Sequence, residues 1–201
     1  IVVSVNYRLL PDTPVSQQAQ DVAQALATAQ QQAAQWGGDA GRFILMGHSA
    51  GAHLVSLINA QPALAQRLGA WPWLGAVALD SAMLNVPQFM RAPHLPLYDD
   101  AFGTNPVYWH AMSPFHQWVS GAPPAQFVCS TERPDHPCLQ AQGMARRVRD
   151  LGGRAEVLPQ DNNSRVLTIS IKADKTYYWN MGDEVDPDQG KASETATALP
   201  A

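Results

Sequence analysis

Lysine is absent from the first 160 residues of this chain. Nine arginines stand there, against one arginine and three lysines (Lys172, Lys175, Lys191) in residues 161–201. Proline falls across the same point, from fourteen to two. That break excludes one uniform domain. It sets the expected organisation as a core over 1–160, a β-rich extension over 161–181, and an acidic, small-residue tail over 182–201 that should be disordered. Cysteine is scarce: two residues cannot build a disulfide scaffold or a four-cysteine zinc site. No apolar run approaches the roughly 18–20 residues of a membrane-spanning helix. Positive charge is short, with 13 basic against 17 acidic residues and a net charge of −4, so the footprint of a nucleic-acid partner is missing. No metal-ligand spacing and no phosphate-cradling glycine loop occurs, so neither a metal nor a cofactor is expected. An initiator Met and a leader are missing too. The chain begins Ile1-Val2-Val3-Ser4-Val5, inside an apolar run, and residues preceding Ile1 are expected to be missing. The compartment, cytoplasmic or periplasmic/secreted, and the oligomeric state stay open.

What is present suffices for a core: 46% of residues are hydrophobic and 15% charged. Residues 1–7 read as a strand ended by Pro11 and Pro14. Val22, Leu26, Ala29, Ala33 and Trp36 recur at helical spacing, predicting a helix over 16–36 stopped by Gly37-Gly38. Residues 43–46 read as a strand buried on both faces, followed by a helix over 50–60. Further strands are expected at 74–79, 126–130 and 154–158, with a helix over 139–151. The proline-rich stretch 82–122 reads as irregular. Alternating strands and helices imply an α/β domain with a mainly parallel sheet. Residues 166–171 and 176–179 flank a polar turn and read as a β-hairpin.

The chemistry centres on Ser49. Gly47-His48-Ser49-Ala50-Gly51 is a G-x-S-x-G pattern between an apolar strand and a helix, the setting of a nucleophile elbow. A sharp turn there lifts the serine hydroxyl off the sheet, and Gly47 and Gly51 permit close approach of strand and helix. The hydroxyl sits at a helix N-terminus, with the Ala50 N–H as an oxyanion donor. The bland reading is an ordinary turn with a Ser cap. An acid should follow a later strand. Asp135, just past the 126–130 strand, is the first candidate, with Asp80 second and Glu132 third. The base is not identified. The loop 159–165 where it should lie holds no histidine, and none follows His136. His48, His53, His94, His110, His116 and His136 all read better as packed or surface residues.

Beyond these features, residues 1–160 resemble the α/β-hydrolase superfamily, in its carboxylesterase, feruloyl-esterase-like and arylformamidase-like branch. The matching stretches are Val3-Ser4-Val5-Asn6-Tyr7-Arg8-Leu9, the elbow through Leu54, Ala78-Leu79-Asp80-Ser81-Ala82, Ser113-Pro114, Pro123-Pro124 and the loop around Asp135. The resemblance implies a partial α/β-hydrolase fold and hydrolysis of a small-molecule ester, or an amide-like bond, through an acyl-serine. Three departures stand beside it. The oxyanion loop that precedes the first strand in such enzymes is absent. The strand that lies between those at 1–7 and 43–46 is absent, which leaves apolar edges open. Leu158-Pro159-Gln160-Asp161 continues into Asn162-Asn163-Ser164 where a catalytic histidine would stand. The chain as given is therefore expected to be impaired or inactive. Residues 164–181 faintly resemble a periplasmic segment of the ExbD/TolR family. Two further readings stay open: a non-catalytic relative that binds a small molecule or a protein, and an envelope interaction module built on 164–181. Cys129 and Cys138 bracket the Asp135 loop, either as a disulfide in an oxidising compartment or as two thiols.

Overall fold

The computed structural model describes residues 1–161 throughout, and beyond them the strands 167–171, 177–181 and 191–192. The chain divides into two compact units, Ile1–Pro159 and Gln160–Ala201.

In the first unit α1 (Val15–Gln32) runs into a short 3-10 turn (Ala33–Trp36). Gly37 stops it with φ 74°, its N–H closing on the carbonyls of Ala33 and Ala34. Then follow β1 (Ile44–His48), α2 (Ala50–Ala60), α3 (Ala63–Gln66) and β2 (Gly75–Leu79). The stretch expected to be irregular carries four short helices, α4 (Val86–Met90), α5 (Pro96–Phe102), α6 (Pro106–Ala111) and α7 (Pro114–Gln117). Each has a proline in its first turn. Proline there costs no hydrogen bond, so these residues start helices rather than break them. β3 (Ala125–Ser130), α8 (Pro137–Asp150) and β4 (Ala155–Gln160) complete the series.

The strands form one sheet in the order β1-β2-β3-β4, and β1, β2 and β3 pair in parallel. The register aligns Leu45 with Ala76, and Ala78 with Phe127, so these side chains share a face. Leu54, Leu57 and Ile58 of α2 bury that face at β1 and β2, and Ala141 and Met144 of α8 bury it at β3. Nine residues of α1, among them Val22, Leu26 and Gln30, are buried, and α1 packs on α2.

Two expectations are corrected here. Residues 1–7 join no strand. They lie along α1, tied by Arg8, whose guanidinium donates to both Asp21 carboxylate oxygens at 2.9 and 2.7 Å. A lone extended segment has no ladder to enter, and no described strand lies between it and β1. The strand at 43–46 is not buried on both faces. Ile44 is 59% and Met46 63% exposed. Val77, Leu79 and Val128 on the same face are only half-buried. The described helices cover the other face, so a sheet whose sequence is written for two helical layers has one among the described residues.

In the second unit, β5 (Leu167–Ile171) and β6 (Tyr177–Met181) form an antiparallel hairpin, and β7 (Lys191–Ala192) pairs with β6. The rest of the expected tail lies outside the described residues.

Candidate functional site

Ser49 occupies the turn between β1 and α2, with φ 52° and ψ −113°. A non-glycine residue there is strained by roughly 1–3 kcal/mol, and the surroundings must hold it. Two backbone bonds do so: the Ser49 N–H donates to Leu79 O at 2.9 Å, and the His53 N–H donates to Ser49 O at 3.1 Å. The turn is tight because Gly47 faces the backbone of the next helix. A Cβ on Gly47 would lie 2.3 Å from Gly51 C and O and 2.8 Å from Ala52 N. A Cβ on Gly51 would meet nothing within 4 Å. The close approach therefore belongs to Gly47 alone, and Gly51 supplies the backbone that is approached. Ser49 and Ala50 are exposed, and no described residue hydrogen-bonds to the Ser49 hydroxyl or to the Ala50 N–H. Both point their polar groups at solvent, at the start of an eleven-residue helix.

The three candidate acids occupy one corner at the ends of β2 and β3. Asp80 follows β2 with φ 56°. Its carboxylate accepts the Ser130 N–H at 2.5 Å and the Ser130 hydroxyl at 3.1 Å. Arg133 reaches the Asp80 carbonyl at 3.3 Å and lies 3.7 Å from its carboxylate. Asp135 is gripped by the same arginine, from Nε at 3.0 Å and from Nη2 at 2.5 Å. The Asp135 carboxylate holds the Arg133 guanidinium above its ordinary range. Tyr98 also faces this corner: burial, then the Asp135 charge, pushes its phenol up. Glu132 is exposed in the same loop. Asp80 is committed to fastening the end of β3, which leaves Asp135 as the carboxylate held by a side chain alone.

A disulfide closes this loop. Cys129 and Cys138 are bonded, with Cα atoms 5.1 Å apart. His136 begins α8 with φ 49° between Asp135 and the bridge.

None of the six histidine rings hydrogen-bonds to the Ser49 hydroxyl or to the carboxylates of Asp135 or Asp80. His53 is buried, donates from Nε2 to Met112 O at 2.7 Å and packs edge-on against Phe102. Burial pushes its pKa down to about 4, against a smaller upward pull from the Met112 carbonyl. His94 pairs with Asp99 and the Ala92 carbonyl, which raise its pKa. His116 bonds Ser113, His110 packs against His116, and His48 and His136 are exposed. Trp73, Phe102 and Trp118 are buried in the core, and Trp73 donates to the buried Asn59 at 2.7 Å. An open groove of about 440 Å³ lies elsewhere, between Val3, Val5 and Asn6 and the outer side of α1. Sequence reasoning missed Arg133 as the partner of both carboxylates. Its position two residues before Asp135 was the available signal.

Known proteins resemble this chain in sequence and in fold. Esterase LipQ of Mycobacterium tuberculosis is 30% identical over 189 residues, covering 86% of this chain and 44% of that protein. The Tol-Pal system protein TolR of Pseudomonas aeruginosa is 56% identical over 45 residues, 22% of this chain and 30% of that protein. The chain thus spans less than half the length of either. Among solved structures, a truncated carbohydrate esterase from gut microbiota superposes with a TM-score of 0.69 at 16% identity, covering 80% of this chain and 65% of that one. Esterase 2 of Thermogutta terrifontis, in its apo form, superposes with 0.61 at 22%, covering 78% and 58%. At those identities the likeness is one of fold. A model of the alpha/beta hydrolase fold matches residues 1–162, and the chain belongs to that family.

Proposed function

We propose that residues 1–160 form a serine hydrolase module that cleaves carboxylic esters, or a related amide or formamide bond, through an acyl-serine at Ser49. The observation that carries this is the backbone of Ser49, bent to φ 52° with its hydroxyl exposed at the head of α2. In the first half-reaction the Ser49 oxygen attacks the ester carbonyl carbon. Its proton passes to a base, the carbonyl oxygen takes the negative charge beside the Ala50 N–H, and the alcohol leaves with a proton. Water then attacks the acyl-serine, releasing the acid and restoring the hydroxyl. Asp135 is the acid that would orient the base.

Among the described residues no histidine ring hydrogen-bonds to the Ser49 hydroxyl or to the Asp135 carboxylate, and Arg133 occupies Asp135. Without a histidine base a serine hydrolase loses on the order of a millionfold in turnover. A second reading, a binding module for a small molecule or a protein, draws on the same Arg133–Asp135 pair. Hydrolysis of p-nitrophenyl acetate tests the first. The expected result is negligible turnover with slow acetylation confined to Ser49 and absent in Ser49→Ala. Acetylation unchanged in Ser49→Ala would refute it, and saturable ligand binding without any acylation would favour the second.

A further inference from the structure

Four basic side chains gather around α7, which packs on α6 and α8, with α4 packed on α6. His110, in the last turn of α6, meets His116, in the last turn of α7, edge to face with ring centroids 4.2 Å apart. Phe115 packs on His116 at 5.2 Å, and Arg147 of α8 lies over the Phe115 ring at 5.7 Å. Arg91 caps the end of α4 and, like Arg147, acts on His116 through its charge. Among the described residues no carboxylate pairs with any of the four. That is unexpected in a chain of net charge −4, because gathered like charges repel unless something neutralises them.

The Ser113 hydroxyl donates to Leu84 O at 3.3 Å, so it accepts from His116 Nδ1 at 2.9 Å. The His116 Nε2 position is left over. Arg147 Nε is buried with no partner, and a buried charged donor left unpaired costs more than a neutral one. Phe115 holds these donors in place, with the Arg147 guanidinium over its ring and His116 edge-on to it, and Arg91 and His110 are exposed beside them.

We propose that this cluster binds a small dianionic oxyanion of the phosphate class, held by the Arg91 and Arg147 guanidiniums and by Nε2–H of His116, with His110 at the rim. Guanidinium forks match such oxygens, and charge-assisted bonds of this kind are the strong ones. Without an anion, burial first, then His110, Arg147 and Arg91, holds His116 below its ordinary pKa. A bound anion opposes the two guanidinium charges, so binding favours a proton at Nε2.

The test is a titration of the whole chain with inorganic phosphate near neutral pH, followed by the imidazole NMR signals of His116. Sodium chloride at matched ionic strength is the control. The expected result is a saturable shift with phosphate and none with chloride, about tenfold weaker in Arg147→Gln and in Arg91→Gln. Arg91 is exposed, so that variant decides if Arg147→Gln fails to fold. An unsaturable shift, an equal response to chloride, or unchanged affinity in Arg91→Gln would overturn the site. Sedimentation with phosphatidylglycerol vesicles, without a response to phosphate, would assign the surface to lipid headgroups and overturn it as well.

Discussion

The two glycines of the elbow should respond to the same substitution with opposite signs. In Gly47→Ala the added methyl would sit 2.3 Å from two backbone atoms of Gly51 and 2.8 Å from Ala52 N. Backbone atoms cannot swing aside as a side-chain end can, so β1 and the first turn of α2 must separate. Over-packing in a well-filled interior costs about 1–3 kcal/mol, and a clash with backbone alone belongs near the upper end. In Gly51→Ala the methyl meets nothing within 4 Å, and alanine at a helical position gains roughly 0.5–1 kcal/mol over glycine. The two variants should therefore differ by about 4 kcal/mol. For a unit of this size that corresponds to a separation of about 8–16 °C in Tm. Urea or thermal unfolding followed by circular dichroism reads it directly. Equal effects at both positions, or a neutral Gly47→Ala, would refute the view that the turn is tight because of Gly47.

Three other outcomes follow from the geometry. His53 is buried neutral with its pKa near 4, whereas unfolded it titrates near 6.5. The unfolded chain then binds the extra proton first, so stability is full above about pH 6.5 and falls as pH drops toward 4, by about 3 kcal/mol. Urea midpoints across that range should show the slope, and His53→Gln should flatten it. Cys129 and Cys138 close a short loop nine residues apart in sequence, for which chain entropy gives about 2–3 kcal/mol. Dithiothreitol should lower the urea midpoint accordingly, and a Cys129→Ala/Cys138→Ala double variant should no longer respond to it. Ile44 and Met46, on the uncovered sheet face, should drive dye binding and self-association. Replacing both by lysine should reduce anilinonaphthalene-sulfonate fluorescence and the sedimentation coefficient, and no change would show that this face is covered.

Much of this was legible because the relevant signals are local. The G-x-S-x-G turn, the helix over 16–36 and the apolar strands each rest on neighbours in sequence, and they stand where expected within a few residues. The four short helices after β2 were not legible, because a proline reads as a break unless the following residues are known to turn. Residues 1–7 have every local property of a strand, yet a strand exists only if a neighbour supplies the ladder. Ile44 and Met46 looked like core for the same reason: their apolar character is written in the sequence, while the layer that would bury them is not. At the site, the sharp turn at Ser49 and the loop after β3 that carries Asp135 stand where the sequence put them. The role of Arg133 was not legible, since pairing with Asp80 across fifty-three residues depends on the parallel register of β2 and β3.

The central claim is that Ser49 is the nucleophile of this domain. Intact-mass analysis after treatment with a fluorophosphonate probe, on wild type and Ser49→Ala, tests it most directly. The account predicts a single, slowly formed adduct that maps to Ser49 and vanishes in the variant. A folded sample that forms no adduct, or forms one that survives Ser49→Ala, would contradict it.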